Sequence, residues 1–412
     1  MKVAIVCIGD ELMNGSTINS NSSWIAKQIN SYNDLEIHDI VTLYDNLNDI
    51  QNKIKYLIDG KYRYIFITGG LGPTHDDITK EALKEVFDSK LVLQVKYYHR
   101  LQDFFKKKGS SIDLKHLKCQ AEILDCSIPI PNKFGTALGM CINKDISSIF
   151  IMPGVPSEMK SMMRYEIIPN FIDSDFKEKI NQITFLTMGV TESKLSNILN
   201  EVIEKNKDKY KFAFLPSYRG VKLAVSSFRN NNENKDFENF CKNIEYLIGD
   251  FLYGFDNDKI EKVVGTLLIQ NKLTVSFAES CTGGLLSKKI TDISGSSSYY
   301  KGSIIAYSNT IKNKQLNVPD RILNSFGAVS QETAISMAEN VKINFNSDIG
   351  LSITGISGPT GGTDLKPVGL VYIGIAYKDN KIVKKINIIN NRNIHREITS
   401  NIALNMIRLL IK

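Results

Sequence analysis

The chain begins with a short apolar run, Val3–Ile8, that stops at Gly9, the pattern of a buried strand running into a turn. Asn19–Asn21 then supplies cap-type residues ahead of an amphipathic stretch from Trp24 to Ile29, which predicts a helix. Leu35–Val41 predicts a second strand and Tyr64–Thr68 (YIFIT) a third, followed by a glycine-rich turn and a helical stretch from Ile78 to Val86. Strands alternating with helices imply a mostly parallel, doubly wound sheet. Such sheets bind ligands where strand C-termini meet helix N-termini.

From about residue 171 the pattern changes. ITFLTMGV predicts a strand, and SKLSNILNEVIEKN a helix with Leu195, Ile198 and Val202 at near-helical spacing. VKLAVSSF alternates as a strand, Asn230–Lys235 is a polar loop, and DFENFCKNIEYLIGDFL is a second amphipathic helix. A third unit begins near Asp256 with helix Lys259–Gln270, strand Leu273–Phe277 and the segment AESCTGGLLSKKI. Strands Ser303–Tyr307, Ile349–Thr354, Val368–Ala376 and Ile382–Ile389 follow, then a final amphipathic helix from about His395 to Leu410. The expected class is α/β: two α/β sandwich domains, 1–170 and 255–412, joined by a small α+β module, 171–254.

Composition narrows the function. At 42% hydrophobic and 23% charged residues the 412-residue chain is of ordinary globular make-up, which excludes a disordered or collagen-like protein. No run of 18 apolar residues occurs, so no membrane span is expected. The start, MKVAIVCIGDELMNG, lacks the apolar length of a signal peptide, so a cytoplasmic location is expected. None of the six cysteines forms a C-x-x-C pair, and free thiols are the simplest reading. The five histidines include no H-x-x-x-H pair, which argues against a zinc-hydrolase site. A metal would rest on carboxylates and carbonyls, the ligands of magnesium-like ions.

The net charge of +7 is unevenly spread. Residues 1–255 hold 32 basic and 32 acidic side chains, whereas residues 256–412 hold 19 and 12. An excess of this size suits nucleic acid, a membrane surface or a small anionic ligand. The dense basic runs are Lys288-Lys289, Lys384-Lys385 and Lys106–Lys108. Phe104 and Phe105 precede the last of these, and on a helix they face a core more readily than they offer a stacking platform. Nucleic acid is therefore not an expected partner, and a membrane is not one either.

Two turns in the first domain carry chemistry. Gly9-Asp10-Glu11 follows the first strand, and TGGLGPTHDD (Thr68–Asp77) follows the third. Glycines there let backbone N–H groups approach an anion, and the next helix N-terminus favours phosphate. Asp10 and Asp77, at neighbouring strand ends, are suited to hold a divalent ion against it. MPGVPSEM (Met152–Met159) is a third such turn. GDELMNG with INSN, TGGLGPTHDDIT and IMPGVPSEM resemble the molybdopterin-binding-type domain of the CinA (competence/damage-inducible) family. The resemblance extends over the whole chain. It implies an N-terminal domain with divalent-metal-dependent (Mg, Co or Mn) ADP-ribose pyrophosphatase activity. Asp10 and Asp77 are then the metal candidates, and Gly69, Gly70 and Gly72 the phosphate cradle. FGTALGM has Leu138 where the family usually shows proline. The family's middle piece is KH-like; here it contains GVTES but no G-x-x-G loop, which argues for a structural or dimer-forming module.

In the third unit, Ala278–Gly284 (AESCTGG) places Ser280 at a strand-to-helix turn, where an exposed nucleophile and an oxyanion hole can coexist. It is not G-x-S-x-G. His395 is the domain's one histidine and is badly placed for a triad, so a lysine of lowered basicity is the base that remains. Tyr307 and Lys312 flank SNTI after GSIIAY: Tyr307 suits a proton relay, with Lys312 setting the local field. Ser280 as a mere N-cap and Cys281 as a rival nucleophile are the alternatives. AESCTGG, YSN-x-x-K and GPTGGTDLKPVG resemble nicotinamide-nucleotide amidohydrolase. That resemblance implies Ser280, Tyr307 and Lys312 as catalytic residues in deamidation of nicotinamide mononucleotide, with no cofactor. Thr282, Gly283, Gly284, Gly355, Gly358 and Lys366 are substrate- and phosphate-binding candidates. Expected partners are small nucleotides and a second copy of the chain as a homodimer. The competing reading is a competence or DNA-damage accessory that binds nucleic acid or proteins without catalysis.

Overall fold

The computed structural model describes residues 1–107, 114–176, 179–228, 234–389 and 391–412; Lys108 and most of the expected polar loop Asn230–Lys235 lie outside the described residues. They form two compact units, Met1–Asn181 and, beyond it, 182–228 with 234–412. No helix among the described residues is long and apolar enough to cross a membrane.

The strands of the first unit are β1 (Lys2–Ile8), β2 (Glu36–Leu43), β3 (Tyr64–Thr68), a short antiparallel pair β4 (Leu91–Leu93) and β5 (Glu122–Leu124), then β6 (Ile128–Ile130), β7 (Gly139–Lys144) and β8 (Ser147–Met152). Six of them make one sheet in the order β2-β1-β3-β8-β7-β6. β2, β1, β3 and β8 run parallel; β7 and β6 are antiparallel. The sheet is thus parallel at one side only, because residues 128–152 return as tight antiparallel connections rather than through helices.

Both faces of this sheet are covered, so its central strands are continuous apolar runs. The pleat divides them. Ala4, Val6, Ile65 and Ile67 pack with Ile50, Ile54 and Leu57 of helix Leu47–Asp59. Val3, Ile5 and Phe66 pack with Ile25 and Ile29 of helix Ser20–Ile29 on the other face. That second helix opens where the cap-type residues indicate, with Asn19 Oδ1 accepting from Ser22 N at 3.1 Å.

The second unit holds two sheets. β9 (Gln182–Thr187), β10 (Tyr210–Ser217), β11 (Gly220–Ser227) and β12 (Leu252–Phe255) pair antiparallel in the order β10-β11-β9-β12. Leu195 and Leu199 of helix Glu192–Asn206 and Ile244 and Ile248 of helix Asn234–Ile248 close one core with Phe185, Leu223 and Val225. The second sheet contains β13 (Val275–Glu279), β14 (Tyr300–Ile305), β15 (Ile349–Gly355), β16 (Leu370–Tyr377) and β17 (Asn380–Asn387), ordered β14-β13-β15-β16-β17. β14, β13 and β15 are parallel, and the other two are antiparallel. Helices Ile260–Gln270 and Arg392–Ile411 cover one face, through Val264, Leu268, Leu404 and Ile407.

Several local readings shift. The expected strand Ser303–Tyr307 lies at Tyr300–Ile305, leaving Tyr307 beyond its end. The helix expected near Thr282 opens at Leu285, because Gly283 and Gly284 both adopt left-handed backbone (φ 56° and 89°). β10 was not foreseen in the sequence. The carboxylate of Glu279, fully buried at the end of β13, accepts from Gly284 N (2.9 Å), Leu286 N (3.1 Å), Ser287 N (2.8 Å) and Ser287 Oγ (2.5 Å). It satisfies the orphan donors of the helix that follows and opposes the positive end of its dipole. Glu279→Leu should therefore lower the unfolding free energy by about 3 kcal/mol or more in a urea titration, since buried donors lose a charged acceptor. Glu279→Gln should lose less; equal, negligible losses would show that the contacts carry no stability.

Candidate active sites

In the first unit the chain reverses direction across the sheet beside β1: β2 pairs on one side of it and β3 on the other. The loops leaving β1 and β3 therefore diverge and open a crevice at the strand C-termini. A cavity of about 440 Å³ occupies it, and Asp10, Gly69, Gly70, Gly72 and Asp77 all line it. The glycines are required by contact before any ligand is considered. At Gly69, in left-handed backbone (φ 106°), a Cβ would stand 2.1 Å from the Ile8 carbonyl oxygen.

The acidic walls are ordered by their own main chain. Asp45 Oδ2 accepts from Asp10 N and Asp10 Oδ1 from Asp45 N, both at 3.0 Å, which ties the end of β1 to the end of β2. Asp77 Oδ2 accepts from Thr74 N at 3.0 Å and from the Thr74 hydroxyl. Burial, together with the negative charges of Asp10, Glu11 and Asp77, raises the Asp45 carboxyl above the usual carboxylate range, although the Asp10 N–H opposes this. Asp45 was not singled out in the sequence, since a lone Asp after a strand carries no signal. Among the described residues no three His, Cys, Asp or Glu side chains converge as a closed metal site. Leu138, at the position of the family's proline, is buried and donates its N–H to the Gln120 carbonyl at 2.9 Å.

The same reversal recurs in the second unit, where β14 and β15 flank β13 on opposite sides. Ser280 leaves the end of β13 and its N–H donates to the Ile353 carbonyl of β15 at 2.9 Å. Lys312, on helix Asn309–Leu316, is 1% exposed. Its Nζ donates to Ser280 Oγ at 3.0 Å and to the Ala306 carbonyl at 2.7 Å. Desolvation lowers this amine to about 8. Of the two causes that depress a lysine, desolvation and neighbouring cations, burial is the one found, and the charge of Cys281 acts in the opposite sense. Cys281 itself is buried, and desolvation pushes its thiol up to about 11, which removes the thiolate a nucleophile needs.

The other candidates separate. Tyr307 is 63% exposed, and its hydroxyl accepts from Arg392 Nη2 at 3.0 Å rather than meeting Ser280 or Lys312. Arg392 Nη1 donates to the Gly358 carbonyl at 3.0 Å, so Gly358 and Tyr307 share one guanidinium. Arg396, one turn along, donates Nε and Nη2 to the Thr282 carbonyl at 3.1 and 2.5 Å. The Thr282 hydroxyl oxygen is buried without a partner among the described residues. Gly283 and Gly284 form the left-handed turn after it, and Gly355 ends β15. Lys366 Nζ donates to the Phe326 carbonyl at 2.5 Å and is not brought to Ser280. His395 is fully buried on the last helix, with Nε2 3.3 Å from the Gly369 carbonyl. The two arginines were missed: the last helix begins at Arg392, three residues before the expected start, which puts Arg392 and Arg396 four apart on one helical face.

Comparison with known proteins agrees with this two-part layout. Residues 4–172 match the model described as probable molybdopterin binding domain, and residues 257–411 the CinA C-terminal domain. A competence-damage inducible protein of Halothermothrix orenii is 36% identical over 98% of this chain and 97% of its own length. One of Caldicellulosiruptor bescii is 37% identical over 99% of this chain and 98% of its own. A solved competence/damage inducible protein from Agrobacterium tumefaciens is 33% identical over 38% of this chain and 98% of its own, with a TM-score of 0.36. With two relatives aligned from end to end above 30% identity, the chain belongs to the CinA, competence-damage inducible, protein family.

Proposed function

We propose that the second unit is an amidase that converts nicotinamide mononucleotide to nicotinate mononucleotide and ammonia. The observation that carries this is the buried Lys312 Nζ, 3.0 Å from Ser280 Oγ, with an amine lowered to about 8. In its neutral form that amine takes the Ser280 proton as Oγ bonds to the carboxamide carbon. Ser280 spends its own N–H on Ile353, so the oxyanion falls to the Cys281 and Thr282 N–H groups, which donate to no backbone carbonyl among the described residues. The carbon–nitrogen bond then breaks, the proton passes from Lys312 to the departing nitrogen, and ammonia leaves. Water cleaves the Ser280 ester through the same amine and releases the carboxylate. Arg392 and Arg396 provide the positive field for a substrate phosphate.

A second activity, metal-dependent cleavage of ADP-ribose, is our reading of the first unit. The 440 Å³ cavity that gathers Asp10, Asp77 and the glycine turn supports it. The donor set fits a hard divalent cation: it is all oxygen, with the carboxylates of Asp10, Glu11, Asp45 and Asp77 on one cavity. Asp10 and Asp77 would hold the ion, and substrate phosphate oxygens would supply ligands that the protein does not. Such an ion, when bound, neutralises charge developing on the phosphates. Gly69 and Gly70 let the main chain approach those phosphates.

Ser280→Ala should reduce ammonia release from nicotinamide mononucleotide by about 10³-fold or more with an unchanged circular dichroism spectrum; undiminished turnover rejects the nucleophile. The wild-type rate should rise with pH through an inflection near 8 and level off above it, because protonated Lys312 cannot accept the serine proton. Lys312→Met should cost about 10²–10⁴-fold and abolish that inflection. Asp77→Asn should remove divalent-dependent ADP-ribose cleavage while ammonia release persists; loss of both would contradict separate sites.

A further inference from the structure

The FGTALGM segment forms one wall of the carboxylate cavity, where Thr136 and Ala137 line it together with Glu158. Glu158 stands half-buried in the first turn of helix Pro156–Met162, after β8. Gly135 lies outside the left-handed region, so its backbone does not call for glycine. What calls for it is Glu158: a Cβ on Gly135 would collide with the carboxylate oxygen Oε2. That same oxygen accepts from Nδ2 of Asn132, a fully buried residue, at 2.6 Å. The Asn132 amide is fixed at both ends. Nδ2 also donates to the Ala137 carbonyl at 3.1 Å, and Oδ1 accepts from Gly135 N at 2.9 Å and Phe134 N at 3.2 Å. The structure thus holds Glu158 by one oxygen. Oε1 accepts no hydrogen bond among the described residues.

Sheet order sets this carboxylate apart. The other acidic residues of the cavity, Asp10, Glu11, Asp45, Asp76 and Asp77, follow β1, β2 or β3, whereas Glu158 follows β8 on the far side of β3. Strands stand about 4.8 Å apart, so the ends of β1 and β8 are separated by roughly 10 Å. That leaves room for a phosphate at the glycine turn, with the metal candidates on one side and a water molecule on the other. We propose that Glu158 is the general base of the first unit, and that Oε1 takes a proton from the water that attacks a phosphoanhydride phosphorus. The proposal rests on reading the cavity as a nucleotide pyrophosphatase. As the proton moves to Oε1, the water oxygen bonds to phosphorus. The bridging P–O bond breaks with its electron pair on the leaving phosphate, and Glu158 returns the proton to that phosphate. Asn132 and Gly135 are positioning residues that act through Glu158: the one holds Oε2, the other leaves it space.

The test is Glu158→Gln in the full chain. Glutamine fills the same space and keeps an oxygen for Asn132, so a bracing role survives the change and a base does not. The kcat of magnesium-dependent ADP-ribose cleavage should fall about 10²–10⁴-fold. KM for ADP-ribose and the magnesium concentration for half-activation should stay unchanged. AMP, one product, should bind the variant no more weakly than the wild type in a calorimetric titration, because a negative charge facing its phosphate is gone. Undiminished cleavage overturns the base. A raised magnesium requirement or weakened AMP binding would reveal a ligand-holding role and overturn it equally. Gly135→Ala, which displaces the carboxylate without removing it, should lower kcat about tenfold or more with AMP binding retained; an unchanged kcat rejects the placement. A wild type that leaves ADP-ribose intact rejects the pyrophosphatase and its base together, whereas equal cleavage by wild type and Glu158→Gln rejects the base alone.

Discussion

The reversal of strand order beside β1 and again beside β13 is the constraint on which the rest depends. A strand flanked on both sides by later parallel strands sends its two neighbouring crossovers to opposite faces, so the loops at its C-terminal end part and leave a crevice. The main chain at that end has no further strand to pair with. Whatever follows β1, β3 or β13 must lead into a helix and be polar enough to satisfy exposed backbone groups, and β15 leads through a glycine-rich loop into antiparallel β16. Glycine and acid-rich turns meet both demands, and they collect at these four strand ends. In one sheet the turns bring together Asp10 and the Gly69–Gly72 segment; in the other, Ser280 and the end of β15.

Burial then assigns opposite fates to two neighbouring groups. The Lys312 amine and the Cys281 thiol sit in the same water-poor surroundings, and both lose the charged form. For an amine that means a lone pair available near pH 8; for a thiol it means an inert SH. Burial, the largest cause in both cases, therefore favours serine with lysine over a cysteine nucleophile, and the charge of Glu279 adds to it at the thiol. The charge excess of the last third of the chain is a separate matter, since burial and not a neighbouring cation lowers Lys312.

The elements legible in the sequence were those whose environment is uniform along their length. β3 is buried at every residue, so YIFIT reads as a strand with the same ends as in the structure. β10 is an edge strand with only Tyr210 fully buried and a proline near its end, so its pattern resembles a loop. At the sites, residues carried by a turn motif were legible: Asp10, Asp77, Ser280 and the glycines. Residues contributed by a distant element were not. From the C-terminal helix Arg396 reaches the Ser280 loop at Thr282 and Arg392 reaches Gly358 and Tyr307, and their spacing means nothing until the helix is docked. Tyr307 shows the converse, since its motif position was clear while its partner, Arg392, depended on the same docking.

The close approach at Gly69 has a consequence for how members of this family can diverge. Two backbones are in van der Waals contact there, with no side chain between them. The separation of the two loops that leave β1 and β3 is thus set by the thickness of peptide planes, a dimension that substitution cannot tune. A variant of this chain that changes what the cavity holds must do so at the rim, where Val155 is exposed. The cavity floor is a fixed gauge, and ligand preference in such a domain is a property of its periphery.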